Sequence, residues 1–161
     1  MFNVVTEFEE QYLINVFTGD SFEPNLLYEY DTSSGIIYDR LIEHFVDDIL
    51  DGDGYKNWDR ISDKQASILL RQMAMFRKEN GRKEQVNTST EAKYYTTELL
   101  TLLGNKTEYY TNVDSIEYPH DKPGFVEHNS QMYSHHDSIC FIAINAKNFL
   151  FMEQTWNFGG E

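Results

Sequence analysis

Residues 139–144 read Ile-Cys-Phe-Ile-Ala-Ile, an almost unbroken apolar run. A run of that length, rich in β-branched and aromatic residues and lacking polar alternation, predicts a strand buried on both faces. It therefore belongs at the centre of a sheet. The flanking stretches "TEYYTNV", "SIEY" and "NFLFMEQTW" are also rich in strand-forming residues, and "NAKN" is a natural hairpin turn between 144 and 149.

The middle of the chain changes period. Leu41, Ile42, Phe45, Val46, Ile49 and Leu50 recur at three- and four-residue steps and predict an amphipathic helix from Tyr38. "DGDG" at 51–54 ends it. Ser62 with Gln65 forms a capping-box signature for a second helix, with Ala66, Leu69, Leu70, Met73 and Phe76 inward and Asn80-Gly81 as its stop. Thr88 with Glu91 opens a third, with Ala92, Tyr95, Leu99, Leu102 and Leu103 inward and Gly104-Asn105 as its end. Near the N-terminus, residues 2–18 fit a hairpin-like pair of strands closed by Gly19-Asp20; a first helix is the competing reading, because "EFEEQYLINVF" also has helical spacing. "NLLYEY" predicts a further short strand. The expected class is α+β: about three central helices packed on a mostly antiparallel sheet from the N- and C-terminal parts. One domain over 1–161 is expected, with a soft boundary near 85 as the alternative.

Charge is the second constraint. The formal net charge is −14. Residues 1–59 hold 14 acidic and 2 basic side chains, residues 60–83 hold 2 acidic and 7 basic, and residues 84–161 hold 11 acidic and 4 basic. Such a field repels nucleic acid from most of the surface and favours partners with basic surfaces. No apolar run is long enough to span a membrane, and the N-terminus lacks the pattern of a signal peptide. A single cysteine, Cys140, forms no internal disulfide, which fits a reducing, cytoplasmic setting.

Three sets of residues are candidates for function. Acids interleaved with aromatics, namely Glu7, Glu9, Glu10, Asp47, Asp48, Asp51, Asp53, Tyr55 and Trp58, suit a protein partner with a basic surface. At helical spacing Lys64, Arg71 and Lys78 fall near one face, extended by Arg77, which suits phosphate contacts or simply a solvated helix side. The stretch Pro119–Cys140 holds four of the five histidines. His128, His135, His136 and Asp137 are zinc-type ligands or acid–base groups, yet no paired ligand signature joins them. Cys140 opens the apolar strand and reads as a small core residue rather than a ligand. "DDILDGDGY" at 47–55 has the composition of a calcium loop but not its spacing in either register.

Ile61, Ser62, Lys64 and Gln65 open a helix that follows another helix. This Ile/Leu-Ser/Thr-x-Lys-Gln opening resembles a device in small phage-encoded accessory and nucleic-acid-processing proteins. The resemblance implies a phage or mobile-element origin and transfers no catalytic residue. The leading expectation is therefore a small acidic interaction protein with no cofactor, a phage-type inhibitor or nucleic-acid mimic that occupies a basic surface of a host protein. A metal- or histidine-dependent enzyme or ligand-binding protein built on 120–140 is the alternative, and a nucleic-acid-associated protein using the basic segment is the third.

Overall fold

The structure is a computed structural model that describes residues 2–5, 11–19, 24–32, 35, 37–50, 58–79, 82–116, 126–128 and 137–156, with backbone only at 78–79, 82–83, 114–116, 126–128, 137–138 and 155–156. In chain order the elements are β1 (Phe2–Val4), α1 (Gln11–Thr18), β2 (Leu27–Tyr30), α2 (Tyr38–Asp48), β3 (Asp59–Ile61), α3 (Asp63–Met75), β4 (Phe76–Glu79), β5 (Arg82–Gln85), α4 (Ser89–Leu103), β6 (Glu108–Thr111), β7 (Val113–Ile116), β8 (Val126–His128), β9 (Asp137–Ile144) and β10 (Asn148–Trp156). The fold is α+β. A six-stranded sheet runs β1-β2-β10-β9-β6-β3, and every pairing in it is antiparallel.

The apolar run at 139–144 is central, as expected, and is covered on both sides. Ile139, Phe141 and Ala143 face one core with α1, α3 and α4. Cys140, Ile142 and Ile144 face a second core with α2. β9 turns into β10 through the expected hairpin, where the Asn145 side chain accepts from the backbone N–H of Lys147 and Asn148 at 3.0 and 2.8 Å. Both capping boxes form. Ser62 Oγ accepts from Gln65 N at 3.1 Å, and Thr88 Oγ1 accepts from Glu91 N at 3.1 Å; the Gln65 and Glu91 side chains reciprocate.

Three expectations need correction. Residues 2–18 do not pair as two strands: 2–4 form β1 and 11–18 form a helix. Leu13, Ile14 and Phe17 sit on one side of a helical turn, and that side packs into the first core. Second, α3 stops at Met75, before Asn80-Gly81. Phe76 is already extended and starts a hairpin in which Glu79 pairs with Arg82. An Asn-Gly dipeptide is a strong two-residue hairpin signal, and here strand pairing prevails over helix continuation. Third, the inward face of α4 differs in part: Thr96 is buried and Tyr95 is half-buried against the first core, but Leu102, expected inward, is 43% exposed.

α2 is held by one side chain above all. Phe45 is fully buried. Its ring stacks on Phe149 at 4.5 Å and meets Phe2, Tyr28 and Phe151 at 5.2, 5.1 and 5.3 Å. Replacing it leaves a cavity among four rings. Phe45→Ala should lower the unfolding free energy by about 3–5 kcal/mol in urea titrations. A loss below about 1 kcal/mol would show that α2 is not seated through this ring.

Candidate functional site

The buried side of α2 is Leu41, Ile42, Phe45 and Val46, so its remaining residues face outward. Asp39, Glu43 and Asp47 stand four residues apart on the exposed side, with Asp48 beside them. Arg40 and His44 are exposed on the same side. Arg40 approaches Glu43 at 4.0 Å, a solvent-exposed pair of little energetic weight. Asp47 and Asp48 lie in the last turn and make no ion pair among the described residues.

At the N-terminal end of this face lies an open groove of about 620 Å³. Tyr38, Trp58 and Tyr110 form its aromatic wall, and Asp39 and Glu108 supply carboxylates. Trp58 packs edge-on against Phe151 at 6.5 Å, and its indole N–H is buried without a hydrogen-bond partner among the described residues. Tyr110 donates to Glu108 Oε1 at 2.7 Å, while Arg60 stands 3.8 Å from the other oxygen. Burial, chiefly, raises the Tyr110 phenol above its ordinary range, and the Glu108 bond adds to this. Behind the groove, burial and then the bond to Tyr38 push Tyr30 up to about 12. Both phenols are therefore neutral at physiological pH. They can donate hydrogen bonds and offer flat contact area, and they are poor bases.

The other candidate residues separate. Lys64 and Arg71 lie on α3, but Arg77 and Lys78 lie on β4, so the expected single helical stripe does not exist. Its physical reason is the early end of α3. Arg77 is a strut: its guanidinium donates to Met73 O at 2.7 Å, to Phe76 O at 3.1 Å, to Asn15 O at 3.3 Å and to Val16 O. It thus satisfies carbonyls at the C-terminal ends of both α1 and α3. Gln154 joins it from β10, its amide donating to Phe17 O, Met73 O and Phe76 O at 2.9, 2.9 and 3.1 Å. Gly19 has φ +87° and passes so close that a Cβ there would stand 3.0 Å from Arg77 Nε.

Glu7, Glu9, Glu10, Asp51, Asp53, Tyr55, His135 and His136 lie outside the described residues, and His128 and Asp137 are described by backbone alone, in β8 and β9. Cys140 is wholly buried, and burial raises its thiol well above the usual range. Among the described residues no helix is long and apolar enough to cross a membrane, and no group of three or more ligand-type side chains converges. Asp39 and Glu43, overlooked in the sequence reading, were within its reach, since both sit off the apolar stripe of the predicted helix. Comparison with protein-family models, curated proteins and solved structures finds no match.

The placement of Arg77 generates a direct expectation. Arg77→Met removes donors to buried helix-end carbonyls and should destabilise the protein by about 1–3 kcal/mol in denaturant titrations. A fully stable Arg77→Met protein would show that these bonds do not hold the two helix ends.

Proposed function

We propose that the protein binds a partner protein through the outer face of α2 and the aromatic groove at its N-terminal end, and that the partner presents a basic surface. The observation that carries this reading is the pair Asp47 and Asp48. A helix C-terminus carries partial negative charge, and a carboxylate there costs about 0.3–1 kcal/mol. Helix stability alone would favour lysine or arginine, and the last turn of α2 has no basic residue. These two acids are exposed and make no ion pair among the described residues. They contribute nothing evident to the fold, which leaves recognition as their use.

Charge density decides between two forms of the reading. Four carboxylates lie between positions 39 and 48, a rise of about 15 Å. The same length of duplex DNA carries about nine phosphate charges. The face is too sparse to copy a phosphate row by itself, so the form supported best is contact with a basic protein surface. Tyr38, Trp58 and Tyr110 would supply the apolar contact beside it. A partner whose basic surface normally holds nucleic acid would lose that ligand on binding. An inhibitor of phage type belongs to this proposal as its functional consequence.

Two variants with equal net-charge change separate a local face from the overall field. One carries Glu43→Lys, Asp47→Lys and Asp48→Lys; the other carries Glu29→Lys, Asp59→Lys and Glu84→Lys, all exposed elsewhere. In calorimetric titration with oligolysine at low salt, the α2 variant should lose about tenfold or more in affinity. The control should lose markedly less. Equal losses would show that only net charge matters and would contradict a binding face on α2.

A further inference from the structure

The opposite layer of the molecule holds a second surface feature. α1 and α4 leave a cleft of about 450 Å³ between them. Its rim is apolar and open: Tyr12 is 50% exposed and Tyr94 60%, with Leu102 completing the edge and buried Leu13 beneath. Tyr12, Tyr94 and Leu102 are thus grouped around one cleft and not scattered singly over the surface.

Glu98 lies between the two tyrosines. Tyr12 donates to its Oε2 at 2.7 Å, and the Tyr94 hydroxyl bonds it as well. These bonds, that from Tyr94 foremost, hold the Glu98 carboxyl below the usual carboxylate range, so the group is ionised at neutral pH. Phenols orient a carboxylate without cancelling its charge. Among the described residues no lysine or arginine pairs with Glu98. A carboxylate offers about four acceptor sites, and the phenols use two of them.

A tie between α1 and α4 would account for the Tyr12–Glu98 bond. Tyr94, one turn before Glu98 on the same helix, adds an i,i+4 bond within α4 and not a second tie between the helices. Such a tie would not require two exposed rings around the anion. A carboxylate held by the hydroxyls of two exposed phenols, in an apolar cleft, is an arrangement that attracts a cation whose flat group can also lie against a ring.

We propose that the α1–α4 cleft receives an arginine side chain carried by a partner protein. A guanidinium can stack on a tyrosine ring while its N–H groups still reach the carboxylate, which a lysine ammonium cannot do equally well. The apolar rim continues past the anion to Leu102, so residues flanking the arginine can bury against it. This site lies across the sheet from α2 and stands on separate observations, so either can fail alone.

The test is an NMR titration with a capped Leu-Arg-Leu peptide, a matched Leu-Gln-Leu peptide and tetramethylammonium chloride. The arginine peptide should give saturable shifts centred on Tyr12, Tyr94 and Glu98, and the glutamine peptide should bind about tenfold more weakly or less well still. Glu98→Gln keeps an acceptor for both phenols, so its spectrum should stay folded while the preference for arginine disappears. Tyr94→Ala should weaken the arginine peptide, and the α2 charge reversals should leave it unchanged. Absence of saturable shifts in the folded protein would overturn the proposal. So would equal binding of the two peptides, shifts confined to α2, or tetramethylammonium binding as tightly as the arginine peptide.

Discussion

Phe45 stacked on Phe149 is the contact on which the layout of this molecule turns. β9 is apolar on both faces, so both must be covered. Three helices cover one face. Among the described elements only α2 covers the other, helped by side chains such as Phe2, Tyr38 and Trp58 at its margins. Every inward position of α2 is therefore committed to apolar packing, and Phe45 fills the centre of that contact. The outward positions carry no such duty. They are free to hold charge, and four of them hold carboxylates.

The opposite layer has a different organising device. The C-terminal ends of α1 and α3 converge, and their carbonyls would be left without donors in a buried setting. Arg77 and Gln154 supply those donors from β4 and β10. A cation is well chosen for this place, since it meets the negative ends of two helix dipoles at once. One of the four candidate nucleic-acid contacts is thus absorbed into the fold. The basic segment of an otherwise acidic chain owes part of its charge to helix termination.

Much of this architecture was legible in the residues, and the failures have physical causes. The capping boxes at Ser62 and Thr88 are local motifs, completed within three residues, so they read directly. The double burial of 139–144 follows from the absence of polar alternation. The α1 segment is harder, because Tyr12, Leu13, Ile14, Val16 and Phe17 satisfy both periods until the layer they pack against is known. Arg77 could not be read at all. Its role depends on Val16, some sixty residues earlier, and on a helix ending five positions before the Asn-Gly signal. Asp39 and Glu43 were readable as exposed positions of a predicted helix. Glu98 with Tyr12 was not, because it requires knowing that α1 lies beside α4.

The reading of α2 as a recognition face rests on acids that stand where a helix disfavours them. If Asp47 and Asp48 serve a partner, the isolated protein gains from their removal. The most direct measurement is the urea-unfolding free energy of the Asp47→Lys/Asp48→Lys protein against the natural chain. The account predicts a gain of about 1–4 kcal/mol, because two unfavourable helix-end charges are removed and two favourable ones take their place. A loss of stability would mean that these carboxylates support the fold, and the case for a binding face on α2 would go with it.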